Sequence, residues 1–273
     1  MSERKSVLIT GASSGLGAAM ASRMVACGWR VFGTTRRERS DATGDATGRG
    51  IEWITMDVCD DHAVERGLTE VYARTPALDG LVCNAGFGIF GAFEETSLER
   101  ARAQFETNVF GVLRVARPVL ARMRMRGSGR LLFVGSLAGR APIPFQSHYS
   151  ASKAAIEALV LALANEVHPF GVSVHLIEPG DIDTAFNDVM DWGQPVADSA
   201  YAERRQQCER TIRDALPRAP KPDVVADAVE HALCATRPRL RYAVGREARL
   251  VGLGKRLLSD RLNLKLIRDH FGI

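Results

Sequence analysis

The chain is 273 residues long, with 46% hydrophobic residues, 25% charged residues and a formal net charge of +4 at pH 7. That length holds one sizeable core, and fractions this ordinary exclude a disordered or fibrous chain. A charge so small, spread along the sequence, gives no electrostatic ground for nucleic-acid binding; five scattered cysteines without a CxxC pair exclude a disulfide framework or zinc knuckle and point to a reducing cytoplasm.

The first strand is predicted at 6–10 (SVLIT), with no apolar export segment before it, and no run approaches the roughly 18 apolar residues of a membrane span. A helix follows at 16–27. Strands at 30–35 (RVFGTT) and 51–56 (IEWITM) flank a polar, glycine-rich stretch, 39–50, read as an exposed loop. Next come a helix at 61–74, a strand at 78–83 (LDGLVC), a long helical region at 98–126, a strand at 130–135 (RLLFVG), a helix at 149–168 and a strand at 172–179 (VSVHLIEP). Short β-branched runs alternating with helical periodicity predict an α/β fold, a parallel sheet covered by helices on both faces, in one domain spanning 1–273. The rhythm breaks over 181–220, where prolines and aromatics mark a substrate lid. Residues 246–273 set arginines and lysines among leucines at three- and four-residue steps. Such a helix caps its own subunit, packs on a neighbour or rests on an anionic membrane; packing is the commoner fate of an amphipathic face.

Chemistry concentrates in three places. Gly11, Ser13, Ser14, Gly15, Leu16 and Gly17 lie between the first strand and the first helix, where glycines allow a tight turn and close approach to a pyrophosphate facing the helix N-terminus. Tyr149 and Lys153 stand four apart on a helix and share a face. A free phenol titrates near about 10, and a neighbouring ammonium stabilises its phenolate and lowers that value. After the second strand, Thr35 occupies the place where an acid would accept the ribose hydroxyls of NAD(H), and Arg36 and Arg37 follow with donors suited to a 2′-phosphate, which favours NADP(H) over NAD(H).

The glycines fall as GxxxGxG rather than GxGxxG, and in this they resemble the short-chain dehydrogenase/reductase family. Cys83-Asn84-Ala85-Gly86 is similar to its NNAG element, with Cys in place of the first Asn. Asn108, Ser136 and Tyr149-Ser-Ala-Ser-Lys153 match its catalytic residues, and Pro179-Gly180-Asp181-Ile182-Asp183-Thr184 its PGxIxT element beside the nicotinamide. The resemblance covers roughly 5–185. It implies a doubly wound Rossmann fold with a cofactor core at about 5–180, and adenine contacts from Asp57 and Val58. It further implies that Asn84, Ala85, Gly86, Pro179, Gly180, Ile182 and Thr184 border the cofactor. Tyr149 would exchange the proton, Lys153 hold the nicotinamide ribose, Ser136 hold the substrate oxygen and Asn108 position a water. It also implies a homodimer or homotetramer. Ile177-Glu178-Pro179-Gly180 and Tyr242-Ala-Val-Gly245 resemble its hydroxysteroid and retinol dehydrogenase branch.

Phe87, Leu137, Phe145, Phe186 and Met190 are expected around the substrate, which an apolar lining makes lipophilic. Six histidines form no close ligand pair, so no metal is expected. The expected activity is NADP(H)-dependent interconversion of a carbonyl and a secondary alcohol. The alternatives are an NAD(H)-dependent alcohol dehydrogenase and a cofactor-binding regulatory protein without turnover.

Overall fold

Three helix starts among the described residues are fixed by capping side chains. Asp60 accepts hydrogen bonds from the His62 and Ala63 backbone N–H groups (2.8 and 3.1 Å), and Ser97 and Ser259 accept from Arg100 N and Leu262 N (3.3 and 3.4 Å). The computed structural model describes residues 4–38, 50–184, 190–194, 196–245, 248, 251, 254 and 257–273. In chain order the elements are β1 (Ser6–Ile9), α1 (Gly15–Ala26), β2 (Arg30–Thr35), β3 (Ile51–Thr55), α2 (Asp61–Arg74), β4 (Gly80–Cys83), α3 (Leu98–Phe105) and α4 (Gly111–Arg126). They continue with β5 (Gly129–Val134), α5 (Ser147–Val167), β6 (Val172–Pro179), α6 (Ala202–Ala215), α7 (Asp223–Cys234), β7 (Arg241–Val244) and α8 (Asp260–Phe271).

The seven strands pair in parallel in the order β3-β2-β1-β4-β5-β6-β7. Alternate residues of the central strands feed opposite cores. Val7, Ile9, Val82 and Leu132 pack with α1 and α7, whereas Leu8, Leu81 and Leu131 pack with residues of α2, α4 and α5. The strand order reverses between β1 and β4, and ligands of open parallel sheets bind at the carboxyl ends of the strands beside such a reversal.

Three departures from the sequence expectation bear on the site. The predicted helix 98–126 is α3 and α4 joined by a π-turn at Glu106–Phe110, a widening that often marks functional positions, and Asn108 sits on it. Residues 181–220 are not all loop: α6 occupies much of them, and α7 and the edge strand β7, absent from the prediction, complete the sheet side. A third apolar cluster, separate from the two that cover the sheet, joins Phe90, Met190, Cys208 and Phe271 with Phe145, Trp192, Ile212 and Ile267. Nearly all of the predicted loop 39–50, together with Arg246, Arg249, Leu250, Leu253, Lys255 and Arg256 of the basic segment, lies outside the described residues. Among those described, no helix is long and apolar enough to cross a membrane.

Candidate active site

At the carboxyl ends of β1 and β4 the glycine loop is clamped by backbone and one amide. Asn84 Nδ2 donates to the Thr10 and Gly11 carbonyls (2.9 and 3.2 Å), and Thr34 Oγ1 accepts from Gly11 N (3.1 Å). Gly11 and Gly15 have φ of +65° and +53°, a left-handed backbone that favours glycine. A Cβ on Gly17 would lie 2.1 Å from the Gly11 carbonyl oxygen. At the start of α1, Ser14 makes no side-chain cap and no carboxylate occupies the first turn, unlike α2, where Asp60 and Asp61 fill both places. The α1 amides therefore stay free for an outside anion. This cradle fits a dinucleotide pyrophosphate.

The loop opens onto a cavity of about 1430 Å³ that also reaches Asp57, Val58, Ala85, Gly86, Ile182 and Thr184. Arg36 lines it at the end of β2. Arg37 is exposed and does not line it; its backbone N–H donates to Thr35 Oγ1 (3.4 Å). No carboxylate stands at the end of β2. Asp57 Oδ1 accepts from Cys59 N (2.9 Å) and fixes the turn that presents Val58.

Farther along the cavity, β5 and α5 bring Ser136, Tyr149 and Lys153 together. Ser136 caps a short 3-10 turn by accepting from Ala138 N (3.1 Å), and its hydroxyl is hydrogen-bonded to the Tyr149 phenol. Gly139 has backbone of Lys153 and Ala154 at about 3 Å from where its Cβ would be, so only glycine lets this turn lie against α5. Lys153 Nζ donates to the Val134 carbonyl (2.9 Å) and lies 5.8 Å from the Tyr149 ring centre. Burial pushes the phenol up to about 12, against the pull of Ser136 and with a further push from Asp181; burial pushes the Lys153 ammonium down to about 8. The sequence predicted a phenol lowered by Lys153; in the structure desolvation outweighs the other influences, and Tyr149 keeps its proton at neutral pH. Such a group can donate to a carbonyl oxygen.

Asn108 is fully buried. Its Oδ1 accepts from Phe87 N (3.1 Å), and its Nδ2 donates to Phe87 O (2.9 Å) and Ser152 Oγ (3.1 Å). These bonds lock the loop after β4 onto α5 and leave its side chain no donor for a water. Pro179 and Gly180 line the cavity after β6, while Asp183 turns away to pair with Lys221 (2.5 Å).

Of the expected substrate-side residues, Phe87, Leu137 and Met190 line the cavity, and Phe186, like Val189, lies outside the described residues. Phe145 does not line it; it packs behind, 5.8 Å from the Phe90 ring. Phe93 is exposed and stacks on His148 (5.4 Å) outside the cavity. Sequence reasoning missed Gln104, wholly buried with Oε1 accepting from Ile89 N (2.9 Å), and the pair Arg100–Asp191 (2.7 Å), which ties α3 to the segment after Met190. It also missed the α6 and α8 walls, including Ile212, Leu216 and Leu264. Among the described residues no group of His, Cys, Asp and Glu side chains could hold a metal ion.

Residues 5–193 match the family model described as short chain dehydrogenase. The chain is 38% identical over 182 residues to a 3-ketodihydrosphingosine reductase of Bacteroides thetaiotaomicron, a match that spans 67% of this chain and 65% of that protein. It is 35% identical over 251 residues to estradiol 17-beta-dehydrogenase 1 of Rattus norvegicus, spanning 86% of this chain and 72% of the relative. The crystal structure of a short-chain dehydrogenase from Streptomyces avermitilis superposes with a TM-score of 0.83 at 36% identity, covering 97% of this chain and 96% of that one. With matches over most of its length in both sequence and fold, the chain belongs to the short-chain dehydrogenase/reductase family of oxidoreductases and resembles its hydroxysteroid dehydrogenase branch.

Proposed function

We propose that this protein is an NADP(H)-dependent oxidoreductase that interconverts a carbonyl and a secondary alcohol on a lipophilic small molecule. The observation that carries the reading is the Ser136–Tyr149 hydrogen bond, with Lys153 beside it, midway along a cavity that has a phosphate cradle at one end and apolar walls at the other. Bound nicotinamide supplies or accepts the hydride. In reduction Ser136 orients the carbonyl oxygen and Tyr149 delivers its phenolic proton there; in oxidation the phenolate takes the proton back. Lys153 supports the phenolate and the nicotinamide ribose. Asn108 is a positioning residue that holds Phe87 against α5. Arg36 favours NADP(H), because it offers a guanidinium to a 2′-phosphate where NAD(H) specificity would require a carboxylate; Arg37, next in the chain, is exposed and adds positive charge. A cytoplasmic homodimer or homotetramer belongs to the same reading.

The test is a screen of lipophilic ketones with NADPH and NADH, comparing wild type with Tyr149→Phe. Loss of the proton donor should lower kcat by roughly 10²–10⁴-fold while NADPH affinity and Tm stay the same. Joint replacement of Arg36 and Arg37 by Ser should weaken NADPH by about 10- to 100-fold and leave NADH nearly unchanged, as expected for lost charge-assisted hydrogen bonds. Equal turnover by Tyr149→Phe would overturn the catalytic assignment, and equal losses for both cofactors the phosphate role. NADPH binding with no turnover of any ketone would favour a regulatory protein.

A further inference from the structure

The cavity does not end at Tyr149. Past Ile143 and Met190 it continues between α6 and α8, where Ile212, Leu216 and Ile267 line it. Its volume of about 1430 Å³ exceeds the ~300–1,000 Å³ of a single-ligand pocket, which leaves room for a substrate beside the cofactor. Burial along the lining follows a gradient. Met190 and Phe271 are 6% and 8% exposed at the inner end, Ile212 and Ile267 are half-buried, and Leu264 and Leu266 are 52% and 49% exposed at the outer end. The wall formed by α6 and the turn that follows it carries no charge: it consists of Thr211, Ile212, Ala215 and Leu216. On α8 the polar lining residues are Asp260 and His270, both exposed, and Asn263, half-buried.

An apolar passage that starts at a proton donor, runs between two helices and opens among leucines suits a flexible chain better than a rigid ring system. A chain extends as far as the passage does and covers the leucines at its mouth. Exposed leucines beside a cavity are otherwise an unbalanced cost, since burying apolar surface is the favourable direction.

We propose that the space between α6 and α8 is an alkyl-chain subsite, and that the substrate is a long-chain ketone or secondary alcohol whose oxygen meets Tyr149 and Ser136 while its tail lies along Ile212, Leu216 and Ile267. This rests on the oxidoreductase reading above. Each methylene that enters the passage should raise kcat/KM about fourfold, the ~0.8 kcal/mol of burying a CH₂ at 1.36 kcal/mol per tenfold, until the chain reaches the mouth. The gain falls on KM, because the tail contributes equally in ground and transition states.

Two measurements decide it. The first is kcat/KM with NADPH for straight-chain 2-ketones from hexanone to hexadecanone. The second needs no turnover: the fluorescence of dodecylpyrene added to the protein, in wild type and in Ile212→Trp, where the larger ring fills the passage. The proposal expects a rising, then level, chain-length profile in wild type and pyrene binding that weakens at least tenfold in the variant. Turnover of ketones with a flat profile and no pyrene binding would overturn the subsite while the reaction stands. Pyrene binding sensitive to Ile212→Trp, with no turnover of any ketone, would support the subsite and sink the reaction instead. A preference for rigid polycyclic ketones with no gain from chains would also overturn it.

Discussion

The glycine loop and the roof over the substrate end sit at opposite ends of one cavity and are held by different forces. Around the loop the close neighbours are backbone atoms and one amide: Gly17 faces the Gly11 carbonyl, and Asn84 donates to Thr10 and Gly11. In the roof the neighbours are side chains from distant segments. Phe90 packs 5.0 Å from Trp192, Gln146 Nε2 lies 3.9 Å from Met190 Sδ, and Arg205 donates to the Trp192 carbonyl. Backbone cannot yield without moving strands, whereas aromatic and thioether contacts can repack. A cofactor shared by many reactions is met by the rigid end, and the substrate by the adaptable one.

The sharpest way to break this contrast is Gly17→Ala. Its new Cβ would stand 2.1 Å from the Gly11 carbonyl oxygen and 2.7 Å from Asn84 Nδ2, with no flexible group free to move aside. We expect a loss of at least about 3 kcal/mol in urea unfolding and loss of NADPH binding. A variant that binds NADPH and unfolds like wild type would show that the cradle is adaptable too. Lys153 gives the next largest effect. Its folded value of about 8 lies below the ordinary 10.5, so the unfolded chain holds more protons between those two pH values and stability from this group rises with pH across that window. Integrated, the rise is about 3 kcal/mol. Tyr149, raised from 10 to about 12, acts in the opposite sense above pH 10, where the folded state keeps a proton the unfolded chain has lost. Urea titrations at pH 7, 9 and 10 should therefore show a climb that Lys153→Met flattens. Equal slopes in the two proteins would place the buried ammonium elsewhere.

The same contrast explains what could be read from sequence. SVLIT, the glycine turn and Tyr149 with Lys153 are local patterns: strand alternation, a loop between strand and helix, and a spacing of four on one helix face were enough to place them. Ser136 and Asn108 needed resemblance, since nothing in their neighbours distinguishes a buried polar residue from a surface one. The π-turn under Asn108 left no trace in the periodicity, which continues from α3 into α4. Arg100 and Asp191 were invisible because 91 positions separate them and each reads alone as a solvated charge. Phe145 was expected in the lining and instead supports it from behind; periodicity shows that a residue is buried, not which side of a wall it faces. Helix α6, with a single fully buried residue, Cys208, carries too weak an apolar stripe to announce that it walls a cavity.

Arg100 and Asp191 also provide the smallest and most discriminating perturbation of the roof. Arg100 Nε donates to Asp191 Oδ2 (2.7 Å), and the other oxygen accepts from Gly193 N (3.0 Å), where φ is +63°. Burial pushes the Asp191 carboxyl up, yet Arg100 and the Gly193 N–H outweigh it and hold the group below its ordinary value. Both side chains remain partly exposed, so the pair is worth no more than about 1 kcal/mol of global stability. Its backbone is held independently, with Phe90 N donating to Asp191 O (2.8 Å) and Asp191 N to Gly88 O (2.9 Å). Replacing Arg100 by Met or Asp191 by Asn should thus leave the bridge between these segments and loosen only the placement of Met190 beside it. Scored with a lipophilic ketone, KM should rise about fivefold, roughly the effect of 1 kcal/mol, while kcat stays within about twofold and NADPH affinity is unchanged. The double variant should be no worse than either single one, because both remove the same contact. A fall in NADPH affinity would mean that roof and cradle are coupled, and that the two ends of the cavity are one rigid unit after all.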